Sequence, residues 1–406
     1  MEMIPAVVTP LDYHMGVDIA RSLGRRGVPV YGIDADPHTP GRGCKYARLA
    51  VCPDPQKSKE AFVQFLADFG RNLGRKAVLY GVRDEEVVII SEARNVLSEY
   101  YHVIMPPHAT LVKLMAKDGL AEAAAECGIA APKTIRPAST EHLAEVARDM
   151  EFPVIIKPIE SCSWRRPEIA TLLDSGALAG RPKVVQCRTR EELLDRHRSL
   201  ARLDDRLVVQ EVIPGEDERL VYFASYANRQ SQVIASFAGR KLRVIPVGFG
   251  SASYVKTIHD PELRAIAIKL LCGVKYQGLS GIEFKLDPRD STYKLVEVNV
   301  RFGLWDGLST AIGVDLPHVA YLDAIGETVE PRHEYPSGVI WVDYYRDVSA
   351  LIAYHHLGRL TASEWIRSLR GKKMVATYAS DDWKPLFLTG MNLASRFVRE
   401  GILRAK

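Results

Sequence analysis

The chain has 406 residues, 47% of them hydrophobic and 26% charged, with a formal net charge of +4. That length allows two or three domains with a large buried core, and the composition is that of an ordinary globular protein. The small net charge argues against a nucleic-acid partner, and no apolar run reaches the length of a membrane span.

The first residues, Met1-Glu2-Met3-Ile4-Pro5, lack the basic and apolar regions of a signal peptide. Six cysteines (44, 52, 127, 162, 187 and 272) are scattered without a C-x-x-C pair. They read as reduced thiols, so a cytoplasmic location is expected. Residues 4–9 predict a short strand, Gly16 to Arg26 a helix closed by Gly27, and Val28 to Ile33 a second strand ending at Asp34 and Asp36. This is a βαβ opening, but its first turn, Thr9-Pro10-Leu11-Asp12-Tyr13-His14-Met15-Gly16, carries no G-x-G-x-x-G. A Rossmann-like domain without a dinucleotide is therefore expected, and a nicotinamide oxidoreductase ranks last among the functions considered.

The alternation continues with a helix over Lys57 to Asn72, a strand over Ala77 to Val82, a helix over Glu85 to Ser98 and a strand over His102 to Met105. Asp84 follows a strand, where it is either a ligand-facing residue or a helix cap. One helix is predicted from Leu111 to Cys127, carrying Lys113 and Lys117. After a strand at Lys133 to Arg136 and a helix at Thr140 to Met150 comes Phe152-Pro-Val-Ile-Ile-Lys157-Pro158. A lysine at the end of an apolar strand is costly to bury unless it meets an anion. The hydroxyls and guanidinium groups of Ser161, Ser163, Arg165 and Arg166 follow on a loop, which suits a polyphosphate.

A strand at Lys183 to Cys187 and a helix at Glu191 to Leu200 lead to Leu207-Val-Val-Gln-Glu211-Val212-Ile213-Pro-Gly-Glu-Asp217-Glu218. Such a strand running into an acidic turn can offer backbone groups to an adenine edge and a carboxylate to a ribose. Two more strands, Leu220 to Tyr226 and Gln232 to Phe237, precede Arg240, Lys241 and Arg243, three cations that are either solvated or face a substrate anion. The Gly-rich residues 244–255 are expected to form a loop, and Pro261 to Leu271 a helix.

Residues 282–301 carry the strongest pattern. Two alternating runs flank a polar turn at residues 287–293, which predicts an antiparallel hairpin. Val296, Val298 and Val300 share one face, and Glu297, Asn299 and Arg301 the other. If residues 285 and 295 pair, Glu283 lies opposite Glu297, a destabilising like-charge pair that a cation would relieve. Carboxylate and carboxamide oxygens suit magnesium. Beyond it come a helix from Leu308 to Ile312, a strand at Val339 to Asp343, helices at Val348 to His355 and Ala362 to Leu369, and a basic tail expected to pack on the core.

The ordered set Lys117, Lys157, residues 210–218, Glu283 and Glu297-Val-Asn299-Val-Arg301 resembles the ATP-grasp superfamily, most closely its carboxylate–amine ligase branch of D-aspartate ligase-like proteins. The resemblance implies an α/β and α+β fold: a Rossmann-like domain over 1–108, a small lid subdomain over 109–210, a larger antiparallel-sheet subdomain with the metal site over 211–330, and an extension over 331–406. It implies ATP and two Mg²⁺ ions as cofactors. Lys117, Lys157, Ser161 and Ser163 would then meet phosphates, and Glu211, Val212 and Ile213 adenine. Asp217 or Glu218 would meet ribose, and Glu283, Glu297 and Asn299 the metal. Arg301, Lys157 and Arg240 become catalytic candidates, and Arg240, Lys241, Arg243 and Trp305 substrate candidates. The implied reaction activates a carboxylate of an amino acid or peptide as an acyl phosphate and couples it to an amine, releasing ADP and phosphate. The alternatives are a phosphotransferase without ligation and a non-catalytic nucleotide sensor. A homodimer is compatible with the branch. The chain departs from the family pattern at Ala116-Lys117, at the Ser- and Arg-rich loop, and at Val300 before Arg301.

Overall fold

The computed structural model describes residues 3–159, 164 and 184–392, without the side chain of Tyr13. Ser161, Ser163, Arg165 and Arg166 lie outside the described residues. Three sheets carry the architecture. The first is parallel: β1 (Ala6–Thr9), β2 (Val30–Asp34), β3 (Ala47–Val51), β4 (Ala77–Gly81) and β5 (Tyr101–Val103), in the order β3-β2-β1-β4-β5. The second is small and antiparallel: β6 (Thr134–Ile135), β7 (Val154–Pro158), β8 (Val185–Cys187) and β9 (Leu207–Glu211), in the order β6-β9-β7-β8.

The third sheet is the largest. It contains β10 (Leu220–Ala227), β11 (Val233–Ile245), β12 (Ser251–Ile258), β13 (Gly278–Asp287), β14 (Thr292–Asn299), β15 (Ile340–Val342) and β16 (Lys373–Val375). Their order is β14-β13-β10-β11-β12-β15-β16, antiparallel except for the parallel pair β15–β16. Two strands from beyond residue 330 thus extend this sheet.

Burial follows the alternation of the strands. One apolar cluster joins Val8, Val78 and Tyr80 of the parallel sheet to Tyr222, Phe237 and Trp305. A second joins Val7 and Leu79 to Phe223, Ile282, Phe284 and Val298 on the opposite face of the large sheet. The small sheet has its own core of Leu143, Val154, Ile156, Trp164, Leu193 and Val209. Each fully buried aliphatic side chain here contributes roughly 1.5–3 kcal/mol.

Four local readings need correction. Residues 47–51 form a strand that the pattern did not suggest, because as a sheet edge it is only partly buried. Residues 244–255 are not a loop: β11 runs to Ile245 and β12 starts at Ser251. The small residues there are explained by the helix Tyr344–His356, whose Asp347 accepts a hydrogen bond from the buried Ser253 hydroxyl at 2.8 Å. The stretch from Leu111 to Cys127 is two helices, His108–Met115 and Lys117–Glu126, because Ala116 is extended (φ −75°, ψ 134°) and caps the second. Glu85 to Ser98 is likewise two helices, Asp84–Glu92 and Arg94–Leu97.

Candidate active site

The β13–β14 hairpin places Glu283 directly opposite Glu297, as the alternation predicts. The register leading there differs, however. Lys285 pairs with Lys294 and Phe284 with Leu295, so Val296 is an extra residue between the pairs. The bulge turns Leu295 and Val298 to the core and leaves Glu297, Asn299 and Arg301 on the outer face. Tyr222 pairs with both Glu283 and Gly239, which extends this polar face across β10 to β11.

Each glutamate of the pair has a lysine. Lys117, the first residue of its helix, reaches Glu297 at 2.9 Å. Lys241 reaches Glu283 at 2.5 Å, and both are largely buried. Burial alone would push the Lys117 ammonium down; the carboxylates of Glu297, Glu283 and Asp84 outweigh it and keep it charged. Asn299 stands opposite Gly281, its amide nitrogen 3.5 Å from the Gly281 carbonyl. Two carboxylates and one carboxamide, with positive charge already drawn to both acids, form the hard-oxygen donor set that magnesium favours. The residues present therefore fit such an ion.

Arg301 does not lie alone on this face. Its guanidinium is held by Asp84 at 2.6 Å, where Asp84 opens a helix after β4. This connects the hairpin to the carboxyl end of the parallel sheet. Beside Arg301 lies Asp306, a residue that the sequence reading missed. It is 1% exposed and accepts from the Gly303 N–H at 2.6 Å and the Tyr222 hydroxyl at 3.3 Å. Burial pushes its carboxyl up to about 7, against the pull of Gly303, Tyr222 and Arg301. A folded value above the unfolded one of roughly 3.9 stabilises the fold fully below that pH, and the contribution is lost as pH rises through about 7. Asp306→Asn is therefore expected to gain stability relative to the parent chain between pH 5 and pH 8. Urea melts at both values check this, and a pH-independent difference would contradict it.

Lys157 sits on the small sheet, where its ammonium donates to Gln210 Oε1 at 2.8 Å. Gln210 in turn donates to Thr134 at 2.8 Å. The Glu211 carboxylate accepts from the Lys133 N–H at 3.1 Å and from Arg289 at 2.5 Å. Arg289 also binds Asp287 and Glu151, so it links the small sheet to the hairpin turn. Val212 is partly buried and Ile213 buried, leaving the backbone of the segment as its chemistry.

The remaining candidates are placed differently from expectation. Asp217 is buried and committed to the Tyr354 hydroxyl at 2.5 Å and the Gly248 N–H at 3.2 Å, so it is not a free ribose acceptor. Glu218 is exposed and lines a cleft with Arg240 and Tyr293. Arg240 pairs with Val221 and so points to the face opposite Glu283, not toward the glutamate pair. Arg243 is turned away as well, because Leu242 is a bulge residue in β11. Its guanidinium makes a buried ion pair with Asp347 at 2.7 Å and lies 3.9 Å over the Tyr254 ring. Trp305 is 2% exposed and packs on Tyr222 and Phe237 above Gly239, so it is core and not a pocket wall. Of the cationic cluster, only Lys241 meets the glutamate pair.

No family model matches the chain. It is 26% identical over 303 residues to the D-aspartate ligase of Enterococcus faecium (strain Aus0004), a match covering 72% of this chain and 69% of that one. Among solved structures, the biotin carboxylase domain of Hydrogenobacter thermophilus 2-oxoglutarate carboxylase, in complex with MgADP, ADP and bicarbonate, superposes with a TM-score of 0.63. That match has 14% identity and covers 84% of this chain and 74% of that one. An L-amino acid ligase from Bacillus licheniformis superposes with a TM-score of 0.60, at 14% identity, over 81% of this chain and 76% of its own. The fold is the ATP-grasp fold, and the sequence is similar to that of a D-aspartate ligase.

Proposed function

We propose that this chain is an ATP-dependent carboxylate–amine ligase. A substrate carboxylate oxygen attacks the terminal phosphorus of ATP, giving an acyl phosphate and ADP. An amine then attacks the acyl carbon, phosphate leaves, and the amine gives up a proton as the amide forms. The observation that carries this reading is the convergence of Glu283, Glu297, Asn299, Lys117, Lys241 and Arg301 on one sheet face.

Glu283, Glu297 and Asn299 would hold magnesium, and two ions are proposed. Bound there, magnesium would neutralise charge on the phosphate oxygens. Lys117, at the start of its helix, and Lys157, on the small sheet, would fix the polyphosphate from two sides. Arg301, oriented by Asp84, would hold the transferring phosphoryl group in a site shielded from water. Lys241 is the remaining candidate on the substrate side. Backbone groups of residues 211–213 would meet adenine, with Glu218 nearest in sequence for ribose, and Ser161 and Ser163 are proposed as phosphate contacts. Arg240, Arg243, Asp217 and Trp305 have no part in the proposal. The substrates proposed are small molecules, and an amino-acid carboxylate is the class to try first; the named activity of the relative makes D-aspartate the leading member.

Hydroxylamine tests the reading because it intercepts an acyl phosphate as a hydroxamate whatever the natural amine. A screen of amino acids with ATP, magnesium and hydroxylamine is expected to give hydroxamate and ADP in equal amounts for at least one carboxylate. ADP release with a stable phosphorylated product and no hydroxamate would establish a phosphotransferase instead.

A further inference from the structure

The last strand of the parallel sheet, β5, has a neighbouring strand on one side only. Beside it lies a cavity of ≈ 420 Å³, shared with the end of the large sheet where β10 closes at Tyr226 and Ala227 and β13 opens at Gly278. The two sheets meet tightly there. Gly278 has φ +100°, and a Cβ on it would collide with the Ile104 carbonyl oxygen, so the wall is packed backbone. Glu283 lies five positions further along β13, roughly 16 Å at the rise of a strand, which separates this cavity from the glutamate pair.

The charge around this cavity is one-sided. Lys76, Arg94, His102 and Arg229 line it, and among the described residues no Asp or Glu does. Asp323 accepts from the Tyr226 hydroxyl at 2.7 Å from outside the lining. Arg94 is committed to the carbonyls of Val103 at 3.3 Å, Pro106 at 2.9 Å and Met105, so it supplies fixed charge. Lys76 gives one of its three protons to the Ser98 carbonyl at 2.7 Å. The Arg229 guanidinium and the His102 ring make no hydrogen bond or ion pair among the described residues. Burial, Lys76 and Arg229 push the His102 imidazole down, and burial and Arg229 push the Arg94 guanidinium down, so the groups repel one another across the cavity. A bound anion removes that penalty. Lys76 before β4, His102 on β5 and Arg229 after β10 offer donors from three separate segments. A phosphoryl group matches them with about two charges and three acceptor oxygens, where a carboxylate brings one charge. The volume is that of a pocket for one small molecule.

We propose that this junction cavity binds a small phosphorylated molecule, its phosphoryl oxygens held by Arg229, Lys76 and His102 with the charge of Arg94 behind them. The site stands independently of the ligase reading, and its test needs no turnover. Inorganic pyrophosphate is the probe, added to the full chain while the His102 ring is followed by NMR; His102→Gln identifies the resonance. Pyrophosphate is expected to shift that resonance in a saturable way. Arg229→Met and Lys76→Met are each expected to weaken the response at least about tenfold, the scale of one charge-assisted hydrogen bond. Both side chains are exposed, so both variants are expected to keep the parent circular dichroism, and if only one does, that one decides. Succinate, a dianion without a phosphoryl group, is expected to bind at least about tenfold more weakly than pyrophosphate. An unmoved His102 signal in the parent chain, a response unchanged by the substitutions, or an equal response to succinate overturns the proposal. Pyrophosphate bound only beside Lys117 and Lys157 gives the first of these results.

Discussion

Glu297→Gln is expected to reduce ligation by about three orders of magnitude, the several kcal/mol of charge stabilisation that metal ligation supplies to phosphoryl transfer. The fold should survive the change. Glu297 faces Glu283 across the hairpin, so neutralising it relieves a like-charge contact worth roughly 0.2–1 kcal/mol. Against this, the largely buried Lys117 ammonium loses its anionic partner, although the carboxamide oxygen of Gln still accepts its hydrogen bond. The two effects oppose each other, so the melting temperature should move by only a few degrees. ADP release with carboxylate and amine both present, alongside a thermal melt, checks both halves. Near-normal turnover in a folded variant would remove Glu297 from the machinery.

The second large effect is on stability. Asp347 is fully buried and accepts four hydrogen bonds: two from Arg243 at 2.8 and 2.7 Å, one from Ser253 at 2.8 Å and one from Trp365 at 2.7 Å. These donors belong to β11, β12 and the helix Ala362–Ser368, so one carboxylate ties the region after residue 340 to the large sheet. Asp347→Ala leaves the Arg243 guanidinium buried without its partner and is expected to cost about 3–5 kcal/mol. Replacing both members by apolar residues, as in Arg243→Met with Asp347→Leu, should recover much of that loss. Urea denaturation of the three variants tests this. A single-variant loss below about 1 kcal/mol would show that the pair is not the fastening that its burial implies.

The hairpin was the most legible part of the chain. Its alternation predicted the pairing of Glu283 with Glu297 and the shared face of Asn299 and Arg301. The bulge at Val296 was not legible, since nothing in the residue types distinguishes an extra valine from a paired one. The same gap misled the reading of residues 240–243. Adjacent cations look like one cluster in sequence, but alternation sends Arg240 away from Lys241, and a bulge at Leu242 sends Arg243 away as well. Asp84 was equally balanced between two roles until Arg301, 217 positions later, proved to be its partner. Trp305 is a substrate candidate in the sequence, and only its tertiary packing on Tyr222 and Phe237 reveals it as core. The edge strand β3 and the serine-rich β12 escaped because partial burial and small side chains blur the period of two.

The two lysine–glutamate pairs bear on the order in which ligands enter. Lys241 and Lys117 already balance Glu283 and Glu297, so the face is electrically closed before anything binds. A bare divalent ion would have to evict an ammonium and leave it stranded in a largely buried position. An ion already attached to a polyphosphate would ease that obstacle at Glu297, because Lys117 would exchange its carboxylate for a phosphate oxygen and keep an opposite-charge contact. Magnesium also sheds water reluctantly and prefers one or two carboxylates with substrate phosphates over an all-protein cage. Under the ligase reading, the nucleotide and its metal would load together as one species, and Lys117 would act as a placeholder that exchanges partners on arrival.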